Sequence, residues 1–269
     1  MKKIVFVAMF LGCSLLCSGV SAQELNQIIT DAKKAVEGLK SVKMKGKTLT
    51  GAVNTTHEEG AIDYGKREFF GLEKSDSKVM SMIYIEEGVT YLYNGIFQAW
   101  YKFDKSLGLF DAVFDKDKLF SFFPNSWEEA GFRVSRLADE DIEGEPCFCV
   151  KSVVIDKDKA KDFALRFLDK FVAPQIAQEL KKDKEFLNSY LDLYMSGSEY
   201  TQWISKSSSL VIKTLLKHSQ MTGPSESVEV ETETVYYDFN KPLTLEVPKE
   251  AYDAEWVSAE DLGLSGKQQ

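Results

Sequence analysis

The chain has 269 residues, 44% of them hydrophobic, with 42 acidic against 33 basic side chains and a net charge of −9. That acidity repels nucleic acid at long range, so no nucleic-acid partner is expected. With only His57 and His218 available, histidine catalysis and histidine-rich metal centres have little material to work with.

Residues 1–22 read as a secretory signal peptide, because Lys2 and Lys3 precede an apolar run over 4–16 and Val20-Ser21-Ala22 offers a cleavage site. The run is shorter than the ~20 residues of a membrane span. Losing Lys2 and Lys3 takes the net charge from −9 to −11. The mature chain is expected to be periplasmic or otherwise exported. Cys13 and Cys17 fit a lipid-anchor site less well than Ala22 fits cleavage, since Leu16 precedes Cys17 and Cys13 would stunt the apolar run. Cys147 and Cys149, two apart in a strand-like run, share a face with parallel Cβ vectors, which disfavours a mutual disulfide. They read as small buried thiols.

Over residues 25–39, Leu25, Ile28, Ile29, Ala32, Val36 and Leu39 recur at helical spacing. Gly38 and Ser41 end that helix. Residues 42–53 then alternate, with Val42 and Met44 on one face and a basic stripe of Lys43, Lys45 and Lys47 on the other. Short aromatic and β-branched runs follow at 60–71, 78–85, 89–93 and 97–103, which reads as a meander of an open sheet. Asn94-Gly95 suits a tight type I′ hairpin.

Residues 107–123 carry Phe110, Phe114 and Phe120 among five phenylalanines in seventeen positions. So much apolar weight in a connecting segment is either a plug packed on the sheet or a lid lining a cavity. Two further strands are expected at 132–137 and 146–155. The longest helical tract spans 156–195, with a break near Ala173-Pro174. A hairpin follows from strands at 200–204 and 210–221. Residues 228–236 alternate Val and Thr with Glu229, Glu231 and Glu233, and 243–247 alternate again after Asn240 and Pro242. These two runs predict a closing antiparallel pair whose inward face is Val228, Val230, Thr232, Thr234 and Tyr236. The acidic stripe invites cross-strand pairing with the basic stripe of the first strand, or each face is separately solvated.

Catalytic spacings are sparse. Ser75-Asp76-Ser77-Lys78 has the S-x-x-K spacing but lies between strands without companion motifs. The DKDK runs at 115–118 and 156–159 lack the glycine and terminal glutamate of a calcium loop. No enzyme activity and no cofactor are expected.

The leading helix, the aromatic meander YLYNGIFQAWYKF, the tryptophan hairpin YTQWISKSSSLVIKTL and the closing YYDFNKPLTLEVPKEA together resemble the LolA-like superfamily. That group comprises outer-membrane lipoprotein carriers, lipoprotein-sorting homologues and LppX/LprG-type lipid-binding envelope proteins. The resemblance implies an α+β fold: a curved antiparallel sheet forming an unclosed half-barrel, with helices on its concave side. It also implies one domain over 23–257 with a helical insertion at about 156–196 and a flexible tail at 258–269. The implied function is an exported carrier for lipid acyl chains or lipoproteins, using an apolar cavity under a helical lid, with envelope membrane proteins as possible further partners. Candidate lining residues are Met44, Met82, Tyr84, Leu92, Trp100, Phe110, Phe114, Phe120 and Trp203. Arg67 is the candidate lid latch, although the proline-containing context of the family arginine is absent around it. The alternative is a non-enzymatic envelope interaction protein with the same fold and a filled core.

Overall fold

The computed structural model describes residues 22–51, 54–104, 111–114, 116, 128–171, 184–223 and 226–258. It opens with helix α1 (Ala22–Glu37), followed by strands β1 (Ser41–Thr50), β2 (Asn54–Asp63), β3 (Glu68–Ser75), β4 (Lys78–Glu86), β5 (Val89–Asn94) and β6 (Ala99–Phe103). A 3-10 turn (Asp111–Phe114) precedes β7 (Phe132–Arg136), β8 (Glu140–Ile142) and β9 (Glu145–Val154). Helices α2 (Lys157–Phe171) and α3 (Lys184–Met195) then lead to β10 (Glu199–Ser205), β11 (Val211–Gly223), β12 (Glu226–Tyr237), α4 (Lys249–Tyr252) and β13 (Glu255–Val257).

These strands form one 13-stranded sheet in the order β13-β6-β5-β4-β3-β2-β1-β12-β11-β10-β9-β7, with β8 on β9. Only the β13–β6 pair is parallel. The path ends at β13 and β7, so the sheet is unclosed, as the fold class expected. Register fixes which side chains share a face, since partners across a ladder point the same way and neighbours alternate. Val42 pairs with Ile62, Ile62 with Phe69 and Phe69 with Ile85. In the other direction Met44 pairs with Tyr236, Thr234 with Thr214 and Thr214 with Gln202. All of these lie on the inner face, the one that carries α1.

α1 forms because its apolar stripe has somewhere to go. Ile28 and Ala32 pack on Val150 of β9 and Ile204 of β10, while Val36 joins Leu39, Val42, Ile62 and Leu210 in a second cluster. The helix therefore bridges the inner face, resting on β9–β10 at its start and on β1–β2 at its end. Each large side chain so buried contributes about 1.5–3 kcal/mol relative to exposure. α3 packs on β11, where Tyr194 lies 4.5 Å from the His218 ring. α2 packs on α3, held by Lys161 Nζ donating to Asp192 at 3.0 Å.

Several expectations need correction. The run 60–71 is a turn between two strands, since β2 ends at Asp63 and β3 begins at Glu68. Asp63 accepts bonds from the backbone N–H groups of Gly65 and Lys66, which closes that turn. Asn94-Gly95 does not make a two-residue hairpin. Its side-chain oxygen accepts from the Ile96 and Phe97 N–H groups, and Gln98 takes the positive φ. Gly95 is required there because a Cβ would lie 2.1 Å from the Val79 carbonyl oxygen.

The closing strand pair is also absent. β12 is flanked on both sides, by β1 and β11, so no free edge remains for 243–247. Asp238 and Asn240 adopt positive φ, and the Asn240 side chain accepts from the Lys40 N–H at 2.7 Å. The chain is thereby turned along the end of the sheet. Val247 and Ala251 finally pack on Tyr91 of the outer face, beside Tyr84 and Trp100. β12 is thus central, not the sheet's closing edge. Its acidic stripe pairs chiefly with β11, Glu233 with Lys213 at 2.8 Å and Glu231 with Lys217 at 2.7 Å, although Lys47 does face Glu233 across β1–β12.

Candidate functional site

Between the second half of α1 and the inner face lies a cavity of about 180 Å³. Val36 and Leu39 form its roof, Val42, Met44 and Ile62 one wall, and Tyr200, Gln202, Thr214 and Tyr236 the opposite wall. Among the described residues, no charged side chain lines it. It exists because α1 is pinned at its two ends on different strands, so the helix spans the inner face of β11 and β12 without lying flat on it. Within the polar wall the Gln202 amide donates to the Tyr200 hydroxyl oxygen at 3.5 Å. Burial pushes all three lining tyrosines, Tyr64, Tyr200 and Tyr236, above the usual phenol range. They are neutral donors and acceptors at every physiological pH.

The β2–β3 turn and the 3-10 turn meet beside this cavity. Arg67, at φ 58, places its guanidinium 5.0 Å from the Phe114 ring. Phe114 in turn packs on the Val36, Leu39, Val42 and Ile62 cluster. Lys116 Nζ donates to the Glu37 carbonyl at 3.0 Å and sits 5.1 Å from the ring of Tyr64, a lining residue. Two cation–ring contacts therefore fasten Phe114 and Lys116 to the β2–β3 turn, and the Lys116 hydrogen bond ties them to the end of α1.

Of the residues selected from sequence, Met44 lines the cavity and Phe114 stands beside it. Leu92 shares the inner face, by register with Ile83, but is outside the lining. Phe110 and Phe120 lie outside the described residues. Met82, Tyr84 and Trp100 point from the outer face, where Tyr84 is 4.9 Å from Phe70 and 6.1 Å from Trp100. Trp203 also lies on the outer face, packed on Cys147 and Cys149. Its indole N–H donates to Glu140 at 3.0 Å, and Lys213 sits 5.1 Å over its ring. The period of two separates these four from Met44. Sequence reasoning missed Val36, Leu39, Tyr200, Gln202 and Thr214 as lining residues. Parity carried through the ladder register from Met44 and Tyr236 reaches Tyr200, Gln202 and Thr214, and the helical stripe that ends at Leu39 is the signal for Val36 and Leu39.

Ser75 and Lys78 are partners in the β3–β4 hairpin, with Asp76 and Ser77 both at positive φ between them. That is a hairpin turn, not the start of a buried helix. Among the described residues, no group of three or more His, Cys, Asp or Glu side chains is placed to hold a metal ion. Among the same residues no helix is long and apolar enough to cross a membrane.

An open, mostly antiparallel sheet with a helix spanning its inner face over an uncharged cavity defines the class: an unclosed half-barrel with an internal apolar site. The chain is structurally similar to the lipoprotein LppX of Mycobacterium tuberculosis, at 12% identity and a TM-score of 0.49 over 84% of this chain and 100% of that one. It is similar to the MucA/MucB complex of Pseudomonas aeruginosa at 10% identity and a TM-score of 0.39, over 83% of this chain and 61% of that one. It is also similar to a putative outer membrane lipoprotein-sorting protein domain from Vibrio parahaemolyticus, at 11% identity and a TM-score of 0.28 over 84% and 96%. The likeness is one of chain architecture. No protein-family model matches the chain, and no curated protein matches it.

Proposed function

We propose that the chain is an exported envelope protein that binds lipid acyl chains, free or on lipoproteins, by reversible burial in the cavity under α1. The observation that carries this reading is the cavity itself, roofed by Val36 and Leu39 and lined by no charged side chain among the described residues. Each methylene moved from water into such a site contributes about 0.8 kcal/mol, so a short stretch of chain already gives useful affinity. The volume, about 180 Å³, resembles the ~150 Å³ of a cavity that takes benzene and falls below the ~300 Å³ of typical ligand pockets. A full acyl chain therefore needs the site to open. The turn carrying Phe114, together with Lys116, is the part to move, with Arg67 on Phe114 and Lys116 on Tyr64 as the fastenings. In this reading residues 1–22 are the cleaved leader, 23–257 act as one domain, 156–196 are an insertion over the sheet, and envelope membrane proteins are further partners.

The test is to purify the chain gently, extract it with organic solvent and look for stoichiometric lipid by mass spectrometry. Binding of N-phenyl-1-naphthylamine, an uncharged fluorescent probe, is measured in parallel. Absence of both copurified lipid and probe binding would falsify the acyl-binding reading.

A further inference from the structure

The cavity's two walls differ in chemistry. Val36, Leu39, Val42, Met44 and Ile62 offer only hydrocarbon and a thioether, whereas β10, β11 and β12 contribute hydroxyls and an amide. The polar groups come from strand neighbours: Gln202 faces Thr214 across β10–β11, Thr214 faces Thr234 across β11–β12, and Tyr236 is two residues further along. Alternation turns them all inward, so one patch of wall is polar while the roof is not. A glutamine amide has two donors and an acceptor, and the bond it makes is the long 3.5 Å donation to Tyr200. It retains capacity for a ligand.

We propose that the site takes neutral amphiphiles, an ester carbonyl or hydroxyl lying against Gln202, Thr214 and Tyr236 and the hydrocarbon against α1 and β1, and that it rejects free carboxylates. This rests on the acyl-binding reading and names its ligand class. Among the described lining residues there is no cation, and an ionised carboxylate without one keeps its desolvation cost and must take up a proton to enter. Lys116, a described cation that reaches a lining ring, stands outside the lining itself, its ammonium directed to the Glu37 carbonyl at the end of α1. The phenols cannot replace it, because a neutral hydroxyl donates a bond without compensating a charge. An ester presents the same acceptor oxygen and no charge.

The experiment is displacement of N-phenyl-1-naphthylamine from the mature chain by methyl octanoate and by octanoate. At pH 7.5 an acid with an ordinary carboxyl pKa of about 4.5 is neutral in roughly one molecule in a thousand. Methyl octanoate is therefore expected to displace the probe at concentrations at least about a hundredfold lower, with octanoate gaining as pH falls toward 5. Gln202→Leu should weaken methyl octanoate relative to the probe by about three- to tenfold, the worth of one hydrogen bond. Tyr236→Phe gives the same readout should Gln202→Leu fail to fold. Octanoate within threefold of its ester at pH 7.5, or ester binding unchanged in both variants, overturns the inference while probe binding keeps the acyl-binding reading intact. Loss of probe binding in the unmodified chain overturns both.

Discussion

Arg67→Ala tests whether the segment carrying Phe114 and Lys116 gates the cavity. The guanidinium lies 5.0 Å from the Phe114 ring, and Phe114 leans on the roof and wall of the site. A cation over an aromatic face contributes about 0.5–1 kcal/mol where water has access, which is the condition of the exposed Arg67. Removing it should favour the opened segment by that amount, and 1.4 kcal/mol corresponds to tenfold. Probe release is therefore expected to quicken about two- to fivefold. Alanine is the right replacement because glycine would also relieve the positive φ of 58 at this position, adding a backbone effect of opposite sign. Stopped-flow release of N-phenyl-1-naphthylamine from the parent, Arg67→Ala, Phe114→Ala and the double variant gives a coupling energy. A coupling of about 0.5–1 kcal/mol is expected. Additive effects, or an unchanged release rate in Arg67→Ala with the fold intact, would show that Arg67 does not latch this segment.

The outer face should answer differently from the inner one. Trp203→Phe removes the indole bond to Glu140 at 3.0 Å and is expected to cost about 1.5–3 kcal/mol in urea unfolding, as for a bond to a charged group; probe affinity should stay constant, and a change in it would place Trp203 in the binding path. His218 is held neutral, its pKa lowered by burial, and its Nδ1 has no hydrogen-bond partner. The unfolded chain thus binds the extra proton first, so His218's stability contribution is complete above about 6.5 and is lost as pH falls toward its depressed folded value. Urea midpoints at pH 7.5 and 5.5 should differ less in His218→Phe than in the parent; an identical difference would refute this assignment. Cys147 and Cys149 are fully buried, and desolvation pushes each thiol up to about 11. In the chain from Gln23 onward, neither should react with a thiol reagent at pH 8 until urea is added, and mass spectrometry counts the adducts.

Much of the architecture was legible because it rests on periods. The 3.6-residue stripe ending at Leu39 gave α1, alternation gave the β1 and β12 runs and the inward set Val228 to Tyr236, and aromatic and β-branched content gave β4 and β5. The site was legible only in part, because periodicity states that a strand has two faces without saying which face meets which cover. Met82, Tyr84 and Trp100 are as apolar as Met44, and composition alone sent all four to the cavity. What separates them is the long-range register Val42–Ile62–Phe69–Ile85, a property of the paired sheet that no local window contains.

The misread segment 243–247 and the misplaced aromatics have one cause. A chain leaving β12 finds β1 and β11 already bonded to it, so its apolar residues must be buried somewhere other than a new ladder. They go over the outer face, where Val247 and Ala251 cover Tyr91, the Tyr252 hydroxyl donates to Glu86 at 2.8 Å, and Lys102 donates to the Tyr252 carbonyl at 2.8 Å. β13 then caps the exposed edge of β6, closing an edge that would otherwise offer unpaired backbone to other chains. The aromatic meander is therefore apolar on both faces for two different reasons. Its inner face lies on the side of the cavity, while its outer face is the seat of the C-terminal strap, and that seat accounts for Tyr84 and Trp100 without any ligand.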